Sequence, residues 1–423
     1  MSIRGRAIAV ASTAALTGTL VTVSTASAAI RPVDRWTATW TSAMQQPVAA
    51  NDPTGANWSM SGFNHQTVRQ IARISRGGSQ VRIRLSNVYG TKPLTISGAT
   101  IAATRDGGSI EPGSIRFVSF HGARSTSIAA GAVAASDAVR LRVTTLESLT
   151  VTLYLAGTTG PATFHEDGLT TTYEAAGDHR LDIGADAFGG ETSHSFYYLT
   201  GIDVTGGPTR NAVVTFGDSI TNGHNSTVGG NDRYSDALTV RLAQAHRSIG
   251  VANSGITGNE LISGLPCFGD PGLDRFHRDA LDEPGVRTIV LLEGANDIWD
   301  SEGPYGGCGE TPRVTADQII DAYTTLIRAA HVRGIRVIGA TITPFKAPYM
   351  SPADFARAET IRDAVNTWVL HSGAYDAVVD FAKAVADPAN PQQMNPAYNS
   401  GDFLHPNDAG YRAIADAFNL NTL

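Results

Sequence analysis

The sequence predicts an antiparallel β-sandwich followed by a doubly wound parallel α/β sheet. Three observations carry this. Residues 31 to about 205 hold period-two apolar segments and no long amphipathic helix. From Asn211 onward, short apolar runs alternate with helical patterns. Between these regions lies only a short Thr205-Gly206-Gly207-Pro208 junction, which suits two docked domains better than a flexible tether.

The chain opens on a segment of its own. Arg4 and Arg6 form a basic start, Ala7 to Val23 is apolar to small, and Ala26-Ser27-Ala28 offers a cleavage site. Residues 1–28 are therefore expected to be a signal peptide. Ser, Thr and Gly interrupt the run, which is short for a membrane anchor. Its removal would take the formal net charge from −7 to −9, because it carries two arginines and no acids. That charge argues against nucleic acid or an anionic membrane surface as a partner. Export would place Cys267 and Cys308, the only cysteines, in an oxidising compartment. A disulfide between them would close about 40 residues, stabilising by about 4 kcal/mol on the chain-entropy account.

In the β-rich domain, residues 30–208, the clearest strands are Gln80–Ser86, Ala138–Val143 and Leu149–Leu155. Trp36, Trp40 and Trp58 have two readings: stacking platforms for sugars, or rings packed in the sandwich or against the second domain.

In the second domain, residues 209–423, strands are expected at Ala212–Phe216, Gly250–Asn253, Thr288–Leu292, Val337–Ala340 and Ala377–Val379. Thr315-Ala316-Asp317-Gln318 is a capping box. It opens a helix striped by Ile319, Ile320, Tyr323, Leu326, Ile327 and Ala330 and ending at Gly334. A second helix runs from Pro352 to Leu370. A third begins after Pro406, capped by Asn407 or Asp408.

The most informative segment reads Val-Val-Thr-Phe-Gly-Asp-Ser-Ile-Thr-Asn-Gly over 213–223. It puts Ser219 just past the carboxyl end of a buried strand, where open α/β sheets gather their ligands. A serine hydroxyl is a weak nucleophile near neutral pH and needs an imidazole held by a third group. Asp402 and His405, three residues apart before the last helix, fit those needs on a tight turn. His224 is a rival base, ranked lower because no carboxylate lies near it in sequence.

An attacked carbonyl also needs preset donors. Gly255, after the second strand, and Asn296, after the third, are placed to supply them. The blocks Gly217-Asp218-Ser219, Gly255, Gly294-Ala295-Asn296-Asp297 and Asp402-Phe403-Leu404-His405 resemble, in order, those of the SGNH (GDSL) hydrolase superfamily of esterases and lipases. The resemblance covers residues 210–423. The β-rich half is similar, more loosely, to a domain ahead of the catalytic part in some secreted actinobacterial members.

The resemblance implies a flavodoxin-like α/β/α fold and an esterase without metal or organic cofactor. Ser219 would be the nucleophile, His405 the base and Asp402 its orienting group. Ser219, Gly255 and Asn296 would form the oxyanion hole. The expected substrate is a small-molecule or polysaccharide ester. The competing reading is a secreted glycan- or surface-binding protein with a vestigial hydrolase domain.

Overall fold

Alternation in the β-rich half separates an apolar face from a polar one, and both faces find partners. The computed structural model describes residues 1–2, 36–49, 55–207, 210–299 and 312–423. Apart from its first two residues, the expected signal peptide lies outside this range, as do Pro208 at the expected domain limit and Cys308. Residues 35–423 form one unit.

The strands used below are β1 (Thr37–Thr41), β2 (Gln66–Arg73), β3 (Gln80–Ser86), β4 (Gly98–Asp106), β5 (Ser148–Leu155), β6 (Thr172–Ala176) and β7 (Leu199–Thr205). One antiparallel sheet runs β1, β7, β3 and then Val133–Ala135. The other has β6, β2, β5 and β4 side by side. Val81, Ile83 and Leu85 of β3 and Val151 and Leu153 of β5 meet in a dry core. The predicted strand at 138–143 does not form. Val139, Leu141 and Val143 are buried, but the segment makes only isolated bridges, Val81 to Val139 and Gly78 to Val143. The Leu141 N–H turns back to the Val139 carbonyl, which takes it out of the ladder.

Trp58 is buried, stacked 5.4 Å from Tyr197 and edge-on to Phe63. Trp40 packs edge-on to Phe196, 4.7 Å away, and the Arg82 guanidinium lies 4.7 Å over Trp36. Trp58 and Trp40 therefore serve packing in the sandwich, and Trp36 is covered by Arg82.

The second half contains five parallel strands: β8 (Ala212–Gly217), β9 (Gly250–Gly255), β10 (Val286–Leu292), β11 (Arg336–Ala340) and β12 (Ala377–Val379). Their order is β9-β8-β10-β11-β12. This is a flavodoxin-like 2-1-3-4-5 sheet, whose order reverses at the first strand. Its apolar strands are buried on both faces, as parallel sheets require. Val214, Phe216, Ile289 and Leu291 face helices α5 (Ala316–Val332) and α6 (Pro352–His371). Val213, Val290 and Leu292 face α2 (Tyr234–Gln244) and α8 (Asp408–Asp416). Thr315 caps α5 with both capping-box bonds formed, and Asn407 caps α8.

The two halves meet along the outer side of β9. Here the Val251 amide donates to Ser75 Oγ at 2.7 Å, and Thr41 Oγ1 donates to the Asn253 carbonyl at 2.7 Å. The β-rich half thus occupies polar backbone groups that an edge strand leaves open. The polar face of β3 adds a charge pair across the seam. Arg84 grips Glu283 through two bonds, at 3.0 and 2.5 Å, while Asp203 holds the same guanidinium at 3.2 Å.

Candidate active site

The strand β8 ends at Gly217, and Asp218 caps the one-turn helix α1 (Ser219–Asn222) by accepting the Ile220 amide at 2.9 Å. This sharp strand-to-helix turn places Ser219 at the carboxyl rim, at the point where strand order reverses. Its hydroxyl lies 2.7 Å from His405 Nε2. His405 Nδ1 lies 2.6 Å from Asp402 Oδ2. Phe403 between them sits in the left-handed region, φ 68°. The reversal lets Asp402 Oδ1 accept the Leu404 and His405 amides at 2.9 and 2.8 Å. Asn225 secures the other oxygen, donating to Oδ2 at 2.8 Å.

The electrostatics follow from this geometry. Burial would raise the Asp402 carboxyl. The His405 hydrogen bond and charge, with two backbone amides, outweigh burial and hold it well below the usual carboxylate range. His405 is pushed below the ordinary imidazole value, first by burial and also by the nearby His224 charge, against the pull of Asp402. Its ring is therefore neutral near pH 7, with Nδ1–H directed at Asp402 and Nε2 able to accept the Ser219 proton.

The donor side differs from expectation at Gly255. Its N–H donates to Asn253 Oδ1 at 2.9 Å and is not available to a substrate oxygen. Glycine is needed there for another reason: a Cβ would stand 2.2 Å from the Asn222 amide nitrogen, where the strand end abuts α1. Gly258, three residues on, has φ +75° and an N–H with no hydrogen bond among the described residues. The Ser219 amide is likewise uncommitted. Asn296, in the short helix α4 (Ala295–Trp299), donates one amide hydrogen to the Asn259 carbonyl at 2.7 Å and keeps the other.

Sequence reasoning missed what holds these donors. Arg275 is fully buried and reaches Asn259 Oδ1 at 2.7 Å, the Ser254 and Gly217 carbonyls at 2.8 Å each, and Glu293 Oε1 at 2.9 Å. It lies 4.1 Å over the Phe216 ring. One cation thus joins the ends of β8 and β9, the residue after β10 and the loop that supports Asn296. Burial of such a charge is tolerable because a carboxylate and carbonyls receive its hydrogens. Asp297 anchors the same loop, accepting the Leu261 and Ile262 amides at 2.7 and 2.9 Å.

His224 also has a partner that sequence proximity could not reveal. Asp167 of the β-rich half lies 2.6 Å from its Nδ1. Its ring stands 4.6 Å from that of His405, at 66°. No contact of His224 with Ser219 Oγ occurs among the described residues, whereas His405 makes that contact.

A strand-turn-helix serine at the rim of a 2-1-3-4-5 sheet, facing an imidazole and a set of uncommitted amides, is the arrangement of an acyl-transferring hydrolase. Residues 215–413 match the GDSL-like Lipase/Acylhydrolase family, and this half of the chain belongs to it, within the SGNH superfamily. The protein is accordingly a carboxylic ester hydrolase. No protein of curated function matches the sequence.

Among solved structures, a GDSL-like lipase from Bacteroides thetaiotaomicron is 17% identical, with 49% of this chain and 85% of that one covered, at a TM-score of 0.35. A lipase/acylhydrolase from Enterococcus faecalis is 20% identical, with 49% and 92% covered, at 0.36. An acetyl xylan esterase is 22% identical, with 49% and 96% covered, at 0.37.

Proposed function

We propose that the protein is a secreted serine esterase that cleaves carboxylic esters of small molecules or polysaccharides through an acyl-serine intermediate. The reading rests chiefly on the continuous hydrogen-bonded path from Asp402 through His405 to Ser219 Oγ.

His405 Nε2 takes the hydroxyl proton as Ser219 Oγ attacks the ester carbonyl carbon. The oxygen becomes negative and receives the Ser219 and Gly258 amides and the second Asn296 N–H. Asp402 keeps the tautomer and balances the imidazolium. The tetrahedral adduct collapses, the C–O bond to the alcohol breaks, and His405 gives that alcohol its proton. Water then attacks the acyl-serine with His405 again as base. Carboxylic acid leaves, and the proton returns to Ser219.

Secretion is supported by the Arg4/Arg6 and Ala26-Ser27-Ala28 pattern alone. The disulfide belongs to the same proposal. Cys267 is buried in the turn Pro266–Phe268, while Cys308 lies outside the described residues. Thiol alkylation with and without prior reduction tests that bridge.

Labelling with a fluorophosphonate tests the function directly. The expected result is one equivalent of probe on Ser219 with loss of turnover of a short p-nitrophenyl ester. An unlabelled protein would favour the glycan-binding alternative. A panel of acyl chain lengths together with acetylated xylan assigns the substrate.

A further inference from the structure

The β-rich half sends residues 165–168 into the hydrolase half beside the nucleophile. His165 Nε2 lies 3.0 Å from Asn222 Oδ1, and Asn222 Nδ2 donates to the Asp167 carbonyl at 2.8 Å. Arg233 closes the insertion by donating to the Gly168 carbonyl at 2.5 Å and to the Asn222 carbonyl at 3.1 Å. Asp167 itself is buried, 4% exposed, and its Oδ2 receives two groups. One is His224 Nδ1–H at 2.6 Å, the other Thr257 Oγ1 at 2.9 Å.

One of these groups adjoins the base, and the other adjoins the donor loop. His224 packs edge-to-face on His405, and its carbonyl is held by the Tyr411 hydroxyl at 2.7 Å. Thr257 directly precedes Gly258, whose amide is one of the uncommitted donors. Thr257 Oγ1 also receives Asn222 Nδ2 at 3.1 Å. A single carboxylate from a distant part of the chain thus braces both the base and the donor loop.

We propose that Asp167 is a positioning residue for ester hydrolysis. It acts through His224 on the ring of His405 and through Thr257 on the loop bearing Gly258, so the β-rich half completes the catalytic centre. This rests on the esterase reading above.

The physical role is orientation. The His405 ring must hold one pose while its Nε2 serves first Ser219 and then the leaving alcohol. A neighbouring ring fixed by a buried carboxylate resists its rotation. An electrostatic effect accompanies the contact. Burial would lower the His224 imidazole, but Asp167 outweighs this and raises it. The resulting positive charge opposes protonation of His405. The other charged or titratable groups facing this pair among the described residues are Asp402 on the His405 loop, Glu166 and His165 beside Asp167, the Tyr411 hydroxyl, and Arg233 behind them.

The test uses the full chain and p-nitrophenyl acetate, with kcat and KM measured from pH 4.5 to about 9, a span bracketing the imidazole range. Asp167→Ala is expected to lower kcat on the order of tenfold with KM within about twofold, since geometry and not binding is lost. His224→Asn, which keeps an N–H for Asp167 but no charge, should lose less of kcat than His224→Ala. Both should move the acid limb of kcat/KM to higher pH.

A folded Asp167→Ala enzyme with wild-type kcat, or with KM alone changed, overturns the proposal. So does His224→Ala with an unmoved acid limb and unchanged kcat. Should Asp167→Ala fail to fold, the His224 pair decides, since that side chain is only partly buried. Ser219→Ala, run alongside, separates the two readings: turnover surviving there defeats the esterase assignment itself, whatever the Asp167 result.

Discussion

His405 Nε2 and Ser219 Oγ lie 2.7 Å apart although 186 residues separate them in sequence. The contact depends on α8 packing against α2 and on the Phe403 reversal, both outside the segment that carries the serine.

Ser219→Ala should abolish hydrolysis of a short p-nitrophenyl ester, a loss on the order of 10⁴-fold or more in kcat. His405→Ala should fall to a similar residual rate, and the double variant little further, because the two groups act as one unit. Unfolding curves that overlay the wild type would show that the loss is chemical.

Asn296→Ala should lower kcat by about 10²–10³-fold, on the scale of about 2.7–4 kcal/mol for one oxyanion donor, with little change in KM. Steady-state kinetics check this. Asn296 also supports the Asn259 carbonyl, so a modest loss of thermal stability should accompany it.

Because burial and His224 lower the His405 value, the acid limb of kcat/KM should fall below about pH 6.5, the unperturbed imidazole value. The apparent value belongs to the coupled cluster of His405, His224 and Asp167. A pH–rate profile measures it directly.

Asp218 is fully buried and pushed up to about 7 by desolvation, against the Ile220 amide bond. Its folded-state value lies above the unfolded one, so its contribution to stability is fully present below about pH 4 and is lost as pH rises through about 7. Asp218→Asn keeps the cap oxygen and removes the titration. The melting temperature of the variant should therefore fall less between pH 6 and about 8.5 than that of the wild type. Thermal scans at several pH values read the difference.

Glu283→Ala should destabilise the protein by about 3 kcal/mol, the lower end for truncating one partner of a buried pair, because Asp203 still compensates Arg84. Calorimetry should show one transition for both halves, shifted down in the variant.

The hydrolase half was legible because its signals are local. Five apolar runs became five strands, and the Thr315 and Asn407 caps fell at their helix starts. Ser219, Asp402 and His405 could be named from turn chemistry at strand and helix ends. Gly255 was misjudged because a glycine at a strand end has two explanations, a free amide or close packing, and only coordinates separate them. The useful cue was distance: a donor for a ligand comes from the loop beyond the strand, where Gly258 lies. Asp167 and Arg275 were illegible for a different reason. Their effects arise across tertiary contacts, and a buried carboxylate or guanidinium has no periodicity. At 138–143 the alternation was real and the pairing was not, since alternation reports burial and a ladder needs a neighbour in register.

The cover over β9 has a consequence for anyone dissecting the protein. A fragment beginning near Asn211 would keep the Ser219, Asp402 and His405 side chains but uncover the Val251 amide and Asn253 carbonyl. Such a fragment would offer a raw sheet border to its own copies and tend to self-associate. Its insolubility would then report a missing neighbour, and would say nothing against the chemistry.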